Sequence, residues 1–132
     1  MAKCQSCGAD AADGADLCPI CGASLRSSAI GAMVEDARQA LAENPDDASA
    51  RYNLAIAYKL GGLPDLALEE LSRVAEEQPD FSDVHYEIGA LHAQAGRTKE
   101  AAAALTRALS LDPDHARARR LLRQLKRRQS AG

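Results

Sequence analysis

Three prolines, Pro45, Pro79 and Pro113, stand 34 residues apart twice over. That period restricts what the chain can fold into more than any other feature it carries. A fixed spacing of this length marks a stack of like units, each of which buries a face it cannot bury alone. Each proline closes an apolar-periodic run, after Glu43-Asn44, Glu77-Gln78 and Leu111-Asp112. Proline disfavours α geometry at the residue before it and has no N–H to donate, so each of the three predicts a helix stop.

The residues between the prolines superimpose. Arg51-Tyr52-Asn53-Leu54-Ala55-Ile56-Ala57-Tyr58 lies above His85-Tyr86-Glu87-Ile88-Gly89-Ala90-Leu91-His92. Gly62 lies above Gly96, Ala67 above Ala101, Leu71 above Leu105 and Val74 above Ala108. Ala55, Gly89, Ala67 and Ala101 are small, as residues must be where two helices come close. Leu54, Tyr58, Leu71 and Val74, with Ile88, Leu105 and Ala108, are expected to fill the seam between those helices. Gly62 and Gly96 are expected to break the chain between them. Ala and Leu abound, whereas the aromatics are three Tyr, one Phe and no Trp. Ala and Leu give up little side-chain freedom in a helix, so the body reads as all-α. Residues 46–113 closely resemble two tetratricopeptide repeats, each a helix-turn-helix of 34 residues. Arg51 and His85 depart from the family at its first large aromatic, and His92 departs at its Tyr.

Partial repeats flank the full ones. Met33 to Glu43 aligns with the second helix of a preceding repeat and residues 114–129 with a first helix, so that 114–132 reads as a C-terminal capping helix and tail. In the latter, Ala118, Leu121, Leu122 and Leu125 form one stripe at i, i+3, i+4, i+7. About six helices in antiparallel pairs follow, close to the minimum for a stable stack. Residues 27–45 read as a linker and partial-repeat helix, with Ser27 or Ser28 as its N-cap.

Residues 1–26 are of another kind. Cys4-Gln5-Ser6-Cys7-Gly8 and Cys18-Pro19-Ile20-Cys21-Gly22 are two C-x-x-C-G units ten residues apart. A two-residue spacer lets a tight turn aim both thiolates at one point, and the glycine after it takes the positive φ that closes the turn. Cys4, Cys7, Cys18 and Cys21 thus supply the closed four-sulfur set that zinc takes in structural sites. Lys3 to Leu25 resembles the short bacterial zinc ribbons, with Leu17 where that family often has Phe. The resemblance implies one structural zinc ion, with Leu17 covering one side of it. About 25 residues bury too little surface to fold alone, so metal binding supplies the folding free energy. Iron, as in rubredoxin-like electron carriers, is an alternative that ligand type does not separate from zinc. Those folds pack aromatics around the metal, and residues 1–26 contain none. A redox switch that releases metal on oxidation is a further alternative.

The tetratricopeptide resemblance implies a groove lined by the first helix of each repeat. Its positions here are Ser49, Tyr52, Ile56, Lys59 and Leu60, then Asp83, Tyr86, Ala90, Ala93 and Gln94, then Arg117, Arg120, Gln124 and Arg127. The expected occupant is a protein or peptide with an aliphatic anchor and acidic neighbours, held by a few buried contacts and tuned by charge. The clamp with which chaperone-docking repeats hold a C-terminal carboxylate is missing. Tyr52, Ile56, Glu87 and Leu121 fill four of its five positions, and only Arg117 suits.

Charge is unevenly spread. Residues 1–47 are net −5, residues 48–113 net −4 and residues 114–132 net +6, giving −3 overall. The basic end permits a second reading, a nucleic-acid-associated regulator, but no aromatic is interleaved with its cations. No nucleophile and base accompany His85, His92 or His115, so an enzyme is not expected. Met1 to Gln5 lacks the apolar core of a secretory signal, and no apolar run reaches the ~18 residues of a membrane span. A cytoplasmic, reducing setting is expected, in which clustered cysteines serve as metal ligands rather than disulfides.

Overall fold

A computed structural model describes residues 2–131, with strands β1 (Ala2–Lys3) and β2 (Asp10–Ala11) and helices α1 (Ala29–Glu43), α2 (Ala48–Leu60), α3 (Pro64–Glu77), α4 (Ser82–Gln94), α5 (Thr98–Leu111) and α6 (Ala116–Ala131). Among the described residues, no helix is long and apolar enough to cross a membrane.

The helix limits follow from local chemistry. The Ser28 side chain accepts from the Gly31 N–H at 3.0 Å and starts α1, and Asp47 does the same for α2 through Ala50. Such a cap satisfies one of the orphan amides of a first turn. Pro64 opens α3 where no N–H is needed. Asn44 and Asp112, each before a proline, leave α geometry at φ −142° and −139°. Gly62 and Gly96 both take φ +79°. Around them the Leu63 N–H donates to Tyr58 O at 2.8 Å and the Arg97 N–H to His92 O at 2.9 Å. The backbone therefore repeats its hydrogen bonds at the period read from the sequence.

The chain divides into two compact units, residues 1–70 and 71–132, with the boundary inside α3. In the first, α1 pairs with α2, and Val34, Ala37, Leu54, Ala57 and Tyr58 are buried. An ion pair of 2.9 Å between Arg51 and Glu70, both about seven-eighths buried, joins α2 to the start of α3.

In the second unit α5 lies between α4 and α6 in the pairing order. A Cβ on Gly89 would stand 2.8 Å from Leu105 Cγ, so only glycine lets α4 approach α5 this closely. Ala101, Leu105, Ala108, Ala118 and Leu125 form the core, flanked by Tyr86, Leu121 and Leu122. Ile88, expected in the seam, is only half-buried, while Val84 and Leu91 are buried.

Candidate metal centre and helical faces

The two cysteine knuckles are built alike. The Cys4 N–H donates to Ala9 O at 2.9 Å and the Gly8 N–H to Cys4 O at 2.8 Å, and Cys18, Ala23 and Gly22 repeat both bonds at the same lengths. Gly8 and Gly22 close the turns at φ +80° and +76°. The short β1–β2 pairing, with Ala2 opposite Ala11, closes the first knuckle. Leu17 and Ser24 bridge the second. Arg26 ties down the spacer by donating to Gly14 O at 3.0 Å and pairing with Asp16 at 3.1 Å.

All four thiols meet. The Sγ atoms of Cys4, Cys7, Cys18 and Cys21 lie within 4.8 Å of one another, with Cys4–Cys21 and Cys7–Cys18 both at 3.7 Å. A tetrahedron with Zn–S bonds of about 2.3 Å has edges of about 3.8 Å. Two of the six separations match that edge and the others do not exceed 4.8 Å, so the set is compatible with tetrathiolate coordination of a zinc or iron ion.

The thiols differ in acidity. Backbone N–H bonds, that of Cys21 first, draw Cys18 down to about 6, and the Cys7 N–H chiefly lowers Cys4. At Cys7 the Ala9 N–H also pulls downward, but desolvation and the neighbouring thiols push it up to about 12. Four thiols this close do not all ionise without a cation among them.

The knuckles rest on the first helical pair. Arg38 of α1 donates from one guanidinium nitrogen to Cys21 O and to the Tyr58 hydroxyl. A Cβ on Gly22 would overlap the Tyr58 ring, and one on Gly61 would stand 2.5 Å from Leu17 Cδ1. Leu17 thus points to the end of α2 rather than serving only to cover a metal. Tyr58, expected to fill a helix seam, also gives the second knuckle an aromatic floor. The absence of aromatics from residues 1–26 therefore no longer counts against iron.

Of the expected groove positions, Tyr86, Arg117, Arg120 and Gln124 converge with Leu121 on one recess of about 190 Å³. The Arg117 guanidinium lies 4.7 Å from the Tyr86 ring centroid, and His115 stacks on the same ring at 5.0 Å. Asp83 is turned to structural use, accepting from His115 Nε2 at 2.8 Å while His115 Nδ1 accepts from the Ala118 N–H at 3.2 Å. His115 is thereby fixed as the cap of α6. Ala90 is half-buried on α4, as are Tyr52, Ile56 and Lys59 on α2. Ser49 instead lines a separate recess with Met33, Asp36 and Asn53. His85 bonds Pro79 O at 3.0 Å. His92 accepts from Arg97 at 2.9 Å, and burial, then that cation, lowers its pKa. Arg38 was not expected at all, because its acceptor is a backbone carbonyl that no side-chain pattern marks.

These elements define a helical-repeat protein with a four-cysteine module at its start. Sequence profiles of the tetratricopeptide repeat match residues 34–94 and 82–115, and this part of the chain belongs to that family. Human tetratricopeptide repeat protein 13 is 42% identical over 78 residues, 55% of this chain but only 9% of that protein. Among solved structures, YrrB, described as a TPR protein with an unusual peptide-binding site, is 26% identical with a TM-score of 0.63. That match covers 67% of this chain and 45% of YrrB. MamA, 18% identical, shares the fold with a TM-score of 0.69 over 80% of this chain and 67% of its own.

Proposed function

We propose that the chain is a non-catalytic adaptor whose repeats bind a peptide or protein segment on the face of their first helices, with the ribbon as a structural zinc module. The observation that carries the reading is the recess of Tyr86, Arg117, Arg120, Leu121 and Gln124. It combines an aromatic wall, an aliphatic edge and two guanidinium groups, which suits an aliphatic anchor beside acidic residues. On α2, Tyr52 and Ile56 occupy the register positions of Tyr86 and Ala90 and are half-buried. YrrB, a structural relative, has a peptide-binding site, which adds weight to a peptide ligand here.

A peptide-display selection on the immobilised zinc-loaded protein tests this. Leu or Ile flanked by Asp or Glu is the expected enrichment, lost in the Tyr52→Ala/Tyr86→Ala variant and in Arg117→Glu/Arg120→Glu. Enrichment unchanged by both variants would show that this face is not the binding surface. The proposed metal is one zinc ion per chain. Elemental analysis giving one zinc in a colourless protein supports that assignment, whereas a red iron-containing protein would replace it with the electron-carrier reading.

A further inference from the structure

By the 34-residue register α1 is a second helix preceded by the cysteine module, and α6 is a first helix whose seam positions, equivalent to Ala55 and Tyr58, hold Arg123 and Lys126. The two half-repeats leave complementary faces. On α1, Met33, Asp36, Ala37 and Ala40 form a stripe at i, i+3, i+4, i+7 and line a recess of about 510 Å³, with Asp47 and Asn53 on its α2 side. On α6, Arg119, Leu122, Arg123 and Lys126 have the same spacing; the three cations are exposed and Leu122 is half-buried. Ala118 and Leu125, on another side of α6, are already spent on the core.

The register says how these stripes match. Within the intact first repeat, Arg51 pairs with Glu70 at 2.9 Å while its other nitrogen donates to Pro45 O at 2.9 Å. Two periods after Arg51 stands Arg119, and one period before Glu70 stands Asp36. Arg119 already holds the same pose, donating to Pro113 O at 2.6 Å, and Asp36 is exposed. Packing size is exchanged in a compensating way. Where Gly89 admits Leu105 inside the second repeat, the equivalent positions are Arg123 and Ala37, large against small on the opposite helices.

The geometry points to self-association head to tail: α6 of one copy seats in the α1 recess of the next and completes a repeat shared between two chains. Charge favours a second copy as the occupant, since residues 1–47 are net −5 and residues 114–132 net +6. Arg123 and Lys126 replace the seam residues Ala55 and Tyr58 of the first full repeat and set the chemistry of what packs there. The contact is heterologous, so each copy keeps a free head and a free tail, and growth proceeds to open chains or a ring rather than stopping at a two-fold dimer.

Sedimentation velocity on the full-length, zinc-loaded protein tests this at low salt, over about 10 µM to 1 mM, the range suited to an interface this small. The expected result is an average mass that climbs with concentration past two copies and falls back towards the monomer at ~1 M salt, where the Debye length is about 3 Å. Arg119→Glu and Asp36→Arg should each weaken association about tenfold or more, because a like-charge contact replaces the pair. Mixing the two variants, or combining both changes in one chain, should restore it. Both positions are exposed, so unchanged helicity by circular dichroism serves as the folding control. A monomer at every concentration would overturn the proposal, as would a plateau at a symmetric dimer or association indifferent to both charge reversals.

Discussion

Two glycines form a matched pair that measures how firmly the ribbon sits on the helices. Gly8 and Gly22 hold the same position in their knuckles at φ +80° and +76°. A Cβ at Gly8 meets nothing within 4 Å, whereas one at Gly22 overlaps the Tyr58 ring, and that ring is only 5% exposed. Either alanine forces an L side chain into left-handed geometry, at about 1–2 kcal/mol. Gly22→Ala adds overpacking of about 1–3 kcal/mol, since Tyr58 has little room to yield. Each kcal/mol moves the melting temperature of a unit of 60–100 residues by about 4–8 °C, and the first unit spans residues 1–70. Gly22→Ala should therefore melt at least about 4 °C below Gly8→Ala when both proteins, prepared in the same metal-loaded state, are heated and followed by circular dichroism. In a common Tyr58→Ala background the two alanine variants should melt at nearly the same temperature. Equal melting temperatures for the two alanine variants would refute the docking of the second knuckle on α2.

Metal removal should act on one part of the chain. A strong chelator is expected to abolish amide protection in residues 1–26 and reduce it in α1, which loses its Cys21 carbonyl partner, while α4 and α5 keep theirs; hydrogen exchange with mass spectrometry reads this directly. In the second unit, Leu105→Ala deletes a side chain with 0% exposure and should cost about 2–5 kcal/mol in urea unfolding with little change in m-value.

Much of the helical body was legible because its signals are local. The Asx/Gln–Pro stops, the Gly62 and Gly96 breaks and the N-cap expected at Ser27 or Ser28, found at Ser28, act through dihedral limits and hydrogen bonds within three or four residues. Their spacing transmits directly into backbone, and helices end where the prolines require. The seam was legible only in part. Ile88 sits at a seam position yet stays half-buried, whereas Val84 and Leu91 are buried, because burial on a stacked helix depends on every neighbour and not on its own repeat alone. Asp83 read as a groove residue, but the His115 ring reaches it from 32 residues away and turns it into part of a helix cap.

By itself the sequence determined the period, the helix limits and the clustering of four thiols, since a C-x-x-C-G turn needs only its own backbone to aim two sulfurs at one point. Where the ribbon sits was decided by tertiary structure alone. Arg38 reaches a Cys21 carbonyl 17 residues away, Leu17 reaches Gly61, and Gly22 accepts the Tyr58 ring. A carbonyl acceptor and the space beside a glycine are features that every residue or no residue displays in a sequence. Which of them is used is settled only when the helices have packed and brought the two surfaces within contact distance.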